Sequence, residues 1–188
     1  MDGDIRSYDQ LVQAIGGAEV VLHLAGQVAV TTSVLNPRED FEINALGTFN
    51  VLEAVRNHAP EAAVLYASTN KVYGGMEAVG VIEKNGRYTY ADHPHGISET
   101  YPLDFHSPYG CSKGTGDQYV LDYARIYGLR TLVFRQSCIY GERQFGVEDQ
   151  GWVAHFVIAT LFNRPISIYG DGKQVRDLLN VKDVIRAY

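Results

Sequence analysis

The chain has 188 residues, of which 46% are hydrophobic and 20% are charged, a composition typical of a globular domain and not of a disordered or collagen-like chain. Sixteen Lys and Arg residues against 22 Asp and Glu residues give a formal charge of -6, and this acidic balance disfavours nucleic-acid binding because it repels phosphate. The two cysteines, Cys111 and Cys138, are too few for a disulfide framework and lack the spacing of a zinc site, so no metal site is expected.

The sequence lacks the features of exported and membrane proteins. Its first ten residues are acidic and polar, without the positive start and apolar run of a signal peptide. The most apolar windows, 18–25 and 152–162, each contain a histidine and are far shorter than the roughly 20 residues that cross a bilayer. Together with the low cysteine content, this predicts a cytoplasmic protein that does not span a membrane.

The first part of the chain predicts helix, strand and helix in turn. Ser7 and Gln10 have the spacing of a capping box, ahead of a helix that ends at Gly16. The apolar run 19–25 predicts a strand that is buried on both faces, as in parallel sheets. A long helix is then predicted over 37–58, with Pro37 in its first turn. The residues that recur there at helical spacing are Phe41, Ala45, Thr48, Leu52 and Val55.

The alternation continues in the second part. The run 62–67 predicts a strand that leads into Ser68, Thr69 and Asn70, and the stretch 74–108 predicts a long functional loop with short elements. The elements predicted after that loop are a helix over 109–127, a strand over 129–136, a helix over 152–162, a short strand over 166–169 and the opening of a helix at 181. This order predicts a single α/β domain with a Rossmann-like, doubly wound parallel sheet.

Ligands of such sheets bind outside the carboxyl ends of the strands. The residues at those positions are Gly26 and Gln27 after the first strand, Ser68 to Asn70 after the second, and Ser137 and Cys138 after the third. We therefore expect the functional site among them.

Tyr109 and Lys113 are four residues apart, so a helix would place the phenol and the ammonium on one face. A nearby ammonium favours phenolate, and we expect it to lower the pKa of Tyr109 and make this residue a proton acceptor. The same spacing recurs at Tyr169 and Lys173, but a Gly-Asp-Gly turn separates that pair. On the spacing alone, Tyr109 is equally compatible with an ordinary half-buried helix residue.

Several longer segments resemble the extended short-chain dehydrogenase/reductases, the NAD-dependent epimerase/dehydratase family. They are Asp4-Ile5, His23-Leu-Ala-Gly26, Asn44-Ala-Leu-Gly-Thr48, Ser68-Thr-Asn-Lys-Val-Tyr-Gly74, Tyr109-Gly-Cys-Ser-Lys113 and Gly170-Asp-Gly-Lys-Gln-Val-Arg-Asp177. Within that family, the strings at 23–29, 68–71, 102–114, 143–145 and 149–152 most closely resemble the CDP-tyvelose (CDP-paratose) 2-epimerases. The resemblance covers nearly the whole chain.

The resemblance implies NAD as cofactor and a CDP-sugar as substrate. It implies the catalytic residues Thr69, Tyr109 and Lys113. It implies cofactor contacts from Asp4, Ile5, Leu24, Ala25, Gln27, Asn44, Ser68, Tyr109, Lys113 and Gln136. It implies substrate contacts from Thr69, His106, Cys138, Arg143 and Arg176, with the start of a substrate-binding segment near 165–188. Other roles remain open for three of these residues: a structural hydrogen bond for His106, a small buried apolar residue for Cys138, and a surface charge paired with Asp177 for Arg176.

The implied reaction inverts C2 of a CDP-3,6-dideoxyhexose by transient oxidation with bound NAD. Tyr109 would take the C2 hydroxyl proton, Thr69 would hydrogen bond the reacting oxygen, and Lys113 would hold the nicotinamide ribose. The related dehydratases carry an acidic pair after the strand-end Thr, where this chain has Asn70 and Lys71, and so 4,6-dehydration lacks its acid and base. The alternatives are a C4 epimerase of another nucleotide sugar and a noncatalytic truncated relative of the same fold.

One expected feature is missing from the sequence. It contains no Gly-rich turn of the GxGxxG or GxxGxxG type, and by the resemblance Met1 falls before the end of the third strand of the family. The first βαβαβ half of the fold is therefore missing, and we interpret the chain as a fragment whose strand 19–25 is an unprotected edge. Alone, it is expected to bind NAD poorly and to associate. The family also implies a homo-oligomer formed through the helices 37–58 and 109–127.

Overall fold

The structure, a computed structural model, describes residues 2–188. Its elements are α1 (Tyr8–Ile15), β1 (Val20–His23), α2 (Val30–Leu35), α3 (Pro37–Phe41), a π-helical turn (Glu42–Leu46), α4 (Gly47–His58), β2 (Ala63–Thr69), a 3-10 turn (Asn70–Tyr73), β3 (Val81–Lys84), β4 (Arg87–Tyr90), α5 (Ser107–Tyr127), β5 (Arg130–Gln136), β6 (Ile139–Tyr140), α6 (Trp152–Leu161), β7 (Leu179–Asn180) and α7 (Val181–Ala187). These elements form two compact units. The first contains the residues up to Gly74 and Phe105–Gln136, and the second contains Gly75–Asp104 and Ser137–Tyr188.

The first unit is built on a three-stranded parallel sheet with the order β1-β2-β5. Its register places Leu22, Leu65 and Leu132 in one row across the sheet, and His23, Tyr66 and Val133 in the next. Adjacent rows face opposite sides of the sheet because strand side chains alternate. The parallel sheet with helical crossovers confirms the α/β prediction.

The hydrophobic core of the first unit lies between the sheet and the helices α1, α4 and α5. Leu52 and Val55 of α4, Val64 and Tyr66 of β2 and Val120 of α5 have no solvent exposure. Burying each such side chain contributes on the order of 1.5–3 kcal/mol, so this layer fixes α5 against the end of β2.

The prediction that β1 is buried on both faces is wrong. Val20 and Leu22 are 54% and 53% exposed, whereas His23 is buried, because helices of the first unit cover the face that carries His23. Leu132 of β5 is 49% exposed in the same row as Leu22. This apolar row is therefore open to solvent in the described chain.

The long helix predicted over 37–58 is interrupted. Pro37 occupies the first turn of α3 as predicted, and the π-helical turn then joins α3 to α4. Phe41 lies outside the core with 56% exposure, although Ala45, Leu52 and Val55 are buried as the spacing predicts. The short helix α2 is an element that the sequence did not predict.

Two other local predictions are wrong. Ser7 is the N-cap of α1, but its side chain caps no backbone amide, and the Oε1 atom of Gln10 accepts a hydrogen bond from the Asp4 amide at 2.8 Å instead. The strand predicted over 166–169 does not form, and Ile168 is 70% exposed there, because no strand of the second unit pairs with that segment in residues 2–188.

The second unit contains the short elements expected in the loop 74–108. There β3 and β4 form an antiparallel hairpin, and the Tyr88 hydroxyl of β4 donates to the Asp171 carboxylate at 2.7 Å. A two-residue parallel pairing joins β6 to β7, and α7 begins at Val181 as predicted. Across residues 2–188, no helix is long and apolar enough to cross a membrane.

Candidate functional site

Two parallel strands of the first unit, β2 and β5, end together at one edge of the sheet, and β1 ends opposite Tyr66 of β2. Thr69, the last residue of β2, is paired in register with Gln136, the last residue of β5. The helix α5 packs on this sheet and carries Tyr109 and Lys113 in its first two turns. Both side chains contact the carboxyl end of β2, so the structure brings the three predicted catalytic residues together.

Lys113 is a buried ammonium with only 7% exposure. Its Nζ atom donates a hydrogen bond to the Ala67 carbonyl at 2.5 Å and lies 4.4 Å from the centroid of the Tyr66 ring. Desolvation lowers the pKa of Lys113 to about 8, against the opposing effects of Asp117 and Asp40. An ammonium has three donors, and within residues 2–188 one of them is used on a protein acceptor.

The pKa of Tyr109 is raised, and the expectation that Lys113 lowers it is wrong for the described chain. The side chain is 9% exposed, so desolvation is the main cause of the rise, and a hydrogen bond with Thr69 opposes it. Asp40 raises the pKa further. The ammonium of Lys113 is directed at Ala67, which explains why its charge is not a leading influence on the phenol.

Beneath the strand end lies a buried charge pair. The Ser68 hydroxyl donates to Asp117 Oδ2 at 2.7 Å, and Arg135 of β5 binds both oxygens of the same carboxylate at 2.9 Å. Asp117 has no solvent exposure. The guanidinium also donates to the Tyr73 hydroxyl at 3.0 Å, so this pair links β2, β5 and α5 under the site.

His23 lies at the end of β1 as a buried neutral imidazole. Desolvation lowers its pKa to about 3, and the charge of Lys113 contributes to the decrease. Its Nε2 atom lies 2.9 Å from the Thr48 hydroxyl, and its ring packs on Tyr66 at 5.2 Å between centroids.

Among the predicted cofactor residues, Gln27 and Asn44 form a reciprocal pair. The Gln27 amide donates to Asn44 Oδ1 at 2.9 Å, and Asn44 Nδ2 donates to the Gln27 carbonyl at 3.1 Å. Both contact the carboxylate of Asp40, and Asn44 also contacts Ser112 of α5. A Cβ atom on Gly26 would lie 3.0 Å from Asn44 Oδ1 and 3.8 Å from Lys113 Nζ, so the backbone after β1 approaches the site closely.

The other predicted cofactor residues have separate environments. Leu24 is 59% exposed and Ala25 is exposed, directly after β1. The carboxylate of Asp4 is bound by Arg6 at 2.5 Å, which lowers its pKa to about 2, and Ile5 packs against Gly47 of α4. Gln136 is half-buried at the end of β5.

The predicted substrate residues are divided between the two units. His106 is exposed in the first unit and is the N-cap residue of α5. Cys138, Arg143 and Arg176 belong to the second unit, where the Cys138 carbonyl accepts from the Leu179 amide at 3.3 Å and both arginines are exposed. Cys138 and Arg143 have positive φ angles of 23° and 66°. Residues 2–188 contain no group of three His, Cys, Asp or Glu side chains that could hold a metal.

Asp40 and Asp117, the two carboxylates that face Lys113, were not among the residues predicted from the sequence. Asp40 precedes Asn44 by four residues in a segment predicted to be helical, and this spacing could have indicated that the two side chains lie on one helix face. Asp117 follows Lys113 by four residues on α5, so the same spacing could have indicated that these two side chains lie together.

Comparison with known proteins places the whole chain in one family. The sequence profile of the NAD dependent epimerase/dehydratase family matches residues 1–188. A CDP-paratose 2-epimerase of Salmonella typhi is 52% identical over 99% of this chain and 57% of that protein. A putative UDP-glucose 4-epimerase of Methanocaldococcus jannaschii is 38% identical over 100% of this chain and 56% of its own length.

Solved structures agree with the sequence comparison. The UDP-glucose 4-epimerase of Thermotoga maritima, solved with UDP-glucose, has a TM-score of 0.83 at 30% identity and covers 100% of this chain and 56% of its own. The Thermus thermophilus UDP-glucose 4-epimerase, solved with NAD, has a TM-score of 0.79 at 31% identity and covers 98% of this chain and 57% of its own. The chain therefore spans a little over half the length of these relatives.

Proposed function

The chain belongs to the NAD-dependent epimerase/dehydratase family, and from this premise we propose that the protein containing it inverts C2 of a CDP-3,6-dideoxyhexose by transient oxidation. The observation that carries the proposal is the convergence of Thr69, Tyr109 and Lys113 at the carboxyl edge of the sheet. The 52% identity to a CDP-paratose 2-epimerase supports the choice of C2 and of a CDP-sugar.

The residues at the strand ends fit NAD. Lys113 is a buried cation that uses one of its three donors on the protein within residues 2–188, and hydroxyl groups such as those of a ribose suit the remaining donors. The backbone at Gly26 approaches the same ammonium closely, because a Cβ atom built there would lie 3.8 Å from Lys113 Nζ. In the proposal, Lys113 holds the nicotinamide ribose, and the other cofactor contacts come from Asp4, Ile5, Leu24, Ala25, Gln27, Asn44, Ser68, Tyr109 and Gln136.

When bound, NAD supplies a hydride acceptor for C2 and the hydride that later returns to the opposite face of the sugar. The chain supplies the proton chemistry. The phenolic oxygen of Tyr109 accepts the proton of the C2 hydroxyl as the C2–H bond breaks, which leaves a 2-keto sugar, and the same proton returns when the ketone is reduced. Thr69 hydrogen bonds Tyr109 in the described chain, and in the proposed reaction it also binds the reacting oxygen.

The raised pKa of Tyr109 has a consequence for this step. A phenol that burial keeps protonated accepts a proton only if positive charge beside it stabilises the phenolate. Lys113, one turn further along α5, is the cation that the chain offers at the site. Its charge is not a leading influence on Tyr109 in the described chain, and we propose that Lys113 tunes Tyr109, in addition to holding the ribose, once NAD and the sugar are bound.

The residues after Thr69 favour epimerisation over dehydration. Asn70 and Lys71 are the two exposed residues that begin the 3-10 turn, and neither offers the carboxyl group that would protonate or deprotonate the sugar during loss of water. Inversion at C4 of a UDP-sugar remains the second candidate, because the archaeal relative at 38% identity is named a putative UDP-glucose 4-epimerase.

His106, Cys138, Arg143 and Arg176 are proposed as substrate contacts. His106 precedes Tyr109 by three residues, and Cys138, Arg143 and Arg176 supply a thiol and two cations in the second unit. The arginines suit the diphosphate of a nucleotide sugar because a guanidinium binds phosphate in a bidentate manner. The segment 165–188 is proposed as the start of the substrate-binding region.

We also propose a homo-oligomer, with a second copy packed on α4 and α5. These helices expose large apolar side chains that pack together, with Phe49 and Tyr119 edge to face at 5.9 Å between ring centroids. Phe49 is 38% exposed and Tyr119 is 45% exposed, so burial against a second copy would remove apolar area from water.

The proposal is tested with the native gene product that contains these residues. The gene product is incubated with NAD and either a CDP-3,6-dideoxyhexose or UDP-glucose, and the configuration at C2 and C4 is followed by NMR. We expect inversion at C2 of the CDP-sugar, its loss in Tyr109→Phe and its retention in Tyr8→Phe, which removes a tyrosine hydroxyl on α1, outside the proposed site. Turnover of UDP-glucose alone would favour the C4 candidate, and no turnover of either sugar would favour the noncatalytic alternative.

A further inference from the structure

Asp40 is a carboxylate with 1% exposure, and three neutral side chains hold it. Its Oδ1 atom accepts hydrogen bonds from Gln27 Nε2 at 3.0 Å and from Asn44 Nδ2 at 3.1 Å. Its Oδ2 atom accepts from the Ser112 hydroxyl at 2.5 Å. Burying a carboxylate costs free energy that such bonds only partly offset, so a fold retains one where its contacts or its charge are used.

The three donors come from separate segments of the chain. Gln27 belongs to the turn after β1, Asn44 to the π-helical turn, and Ser112 to α5 directly before Lys113. The Ser112 oxygen also lies 3.1 Å from the Tyr109 carbonyl and 3.1 Å from Asn44 Nδ2. Asp40 is thus the common acceptor that ties the amino-terminal turns of α5 to the loop after β1.

We propose that Asp40 is a positioning residue for the Tyr109–Lys113 pair, which it anchors through Ser112 and whose ammonium its negative charge stabilises. The proposal rests on the proposed function only in giving the pair a catalytic task. The anchoring and the electrostatic effect are properties of the chain itself.

The electrostatic part follows from the groups that face Lys113. Two carboxylates, those of Asp117 and Asp40, raise its pKa, whereas burial lowers it. The neighbouring His23 imidazole and Tyr66 ring carry no negative charge. Asp117 shares its charge with Arg135 in a bidentate ion pair, whereas Asp40 accepts only from neutral donors among the described contacts. Asp40 also raises the pKa of Tyr109. Removing its charge therefore lowers both pKa values.

The first test measures the pKa of Lys113 without NAD or sugar. The 188-residue chain has five lysines, so 13C labelling of the lysine side chains gives few NMR signals, and Lys113→Arg identifies the one of interest. Asp40→Asn keeps the size of the side chain and removes its charge, and we expect the Lys113 pKa to decrease by roughly one unit. Ser112→Ala removes the hydrogen bond and keeps the charge, so its Lys113 pKa should stay at the wild-type value. An unchanged pKa in folded Asp40→Asn overturns the electrostatic role.

The second test measures the anchoring by hydrogen exchange at the amides of residues 111–114. Both Asp40→Asn and Ser112→Ala should increase exchange there about tenfold, equal to about 1.4 kcal/mol of local opening, and leave the amides of 120–123 unchanged. If Asp40→Asn does not fold, Ser112→Ala alone decides this part, and unchanged exchange at 111–114 overturns it.

Activity provides a third, separate readout in the native gene product. Asp40→Asn removes a negative charge that raises the pKa values of Tyr109 and Lys113, so both limbs of its pH–rate profile should move to lower pH. Ser112→Ala keeps that charge, and its profile should stay in place. A profile that stays in place in active Asp40→Asn contradicts the proposal. If wild type does not turn over sugar, the proposed function fails, whereas the NMR and exchange results still decide the role of Asp40.

Discussion

The buried ion pair between Arg135 and Asp117 should dominate the stability of the first unit. Asp117 has no exposure, and two hydrogen bonds of 2.9 Å join it to the guanidinium. Arg135→Met keeps most of the packing volume but leaves the carboxylate buried without its cation. Removing one partner of such a pair costs about 3–5 kcal/mol in the free energy of unfolding, which is a large part of the stability of a small domain.

Urea denaturation followed by circular dichroism measures this cost, with Arg38→Met as the matched control. Arg38 pairs with Glu42 at 2.8 Å, but its side chain is 89% exposed, so its loss should cost no more than about 1 kcal/mol. Adding Asp117→Asn to Arg135→Met should recover part of the lost stability, because the unpaired charge is then removed. Equal costs for Arg135→Met and Arg38→Met, or no recovery in the double variant, would refute this reasoning.

Three further predictions concern packing, pH and association. Gly116→Ala should lower the free energy of unfolding, measured in urea, by about 1–3 kcal/mol, because the added Cβ would lie 2.5 Å from the buried Tyr66 hydroxyl. The control Gly16→Ala, whose added Cβ has its nearest contact at 3.5 Å, should change it little. Equal effects of the two substitutions would contradict the packing argument. His23 has a folded-state pKa of about 3, below its unfolded value, so the unfolded state binds more protons between about pH 3 and 6.5 and stability decreases as pH falls through that window. The loss should be about 2 kcal/mol between pH 6.5 and 5, and His23→Gln should reduce it while the exposed His58→Gln does not; the same pH dependence in both variants would contradict this. If α4 and α5 bind a second copy, Phe49→Asp should lower the molecular mass measured by light scattering. Phe145→Asp, at an exposed position of the second unit, is the control and should leave the mass unchanged. An unchanged mass in Phe49→Asp would contradict that interface.

The order of the strands along the chain and the place of the candidate site could be predicted because both follow from short-range pattern. The apolar run that leads into Ser68 and Thr69 indicates a strand of a parallel sheet, and its carboxyl end marks the edge of the sheet where ligands bind. The spacing of Tyr109 and Lys113 indicates that both side chains lie on one face of α5. These inferences need only the spacing at which side chains recur on one face of a strand or a helix.

The remaining features depend on tertiary contacts that a linear pattern does not contain. The sequence places an ammonium near Tyr109, but burial, together with the charge of Asp40, raises the pKa of the phenol. Similarly, Val20 has the pattern of a buried strand residue and is exposed, because that face of β1 is uncovered. Asp40 reads as an ordinary helix-surface carboxylate until Ser112, 72 residues away, is packed against it.

The fate of the hydrogen on C2 tests the central claim most directly. A CDP-3,6-dideoxyhexose that carries deuterium at C2 is incubated with NAD and the native gene product, and its configuration and isotope content are read by NMR. Transient oxidation at one carbon predicts that C2 inverts and keeps its deuterium, and that Tyr109→Phe abolishes the inversion. Inversion in which deuterium is replaced by hydrogen from water, or no inversion by the wild-type protein, would contradict the account.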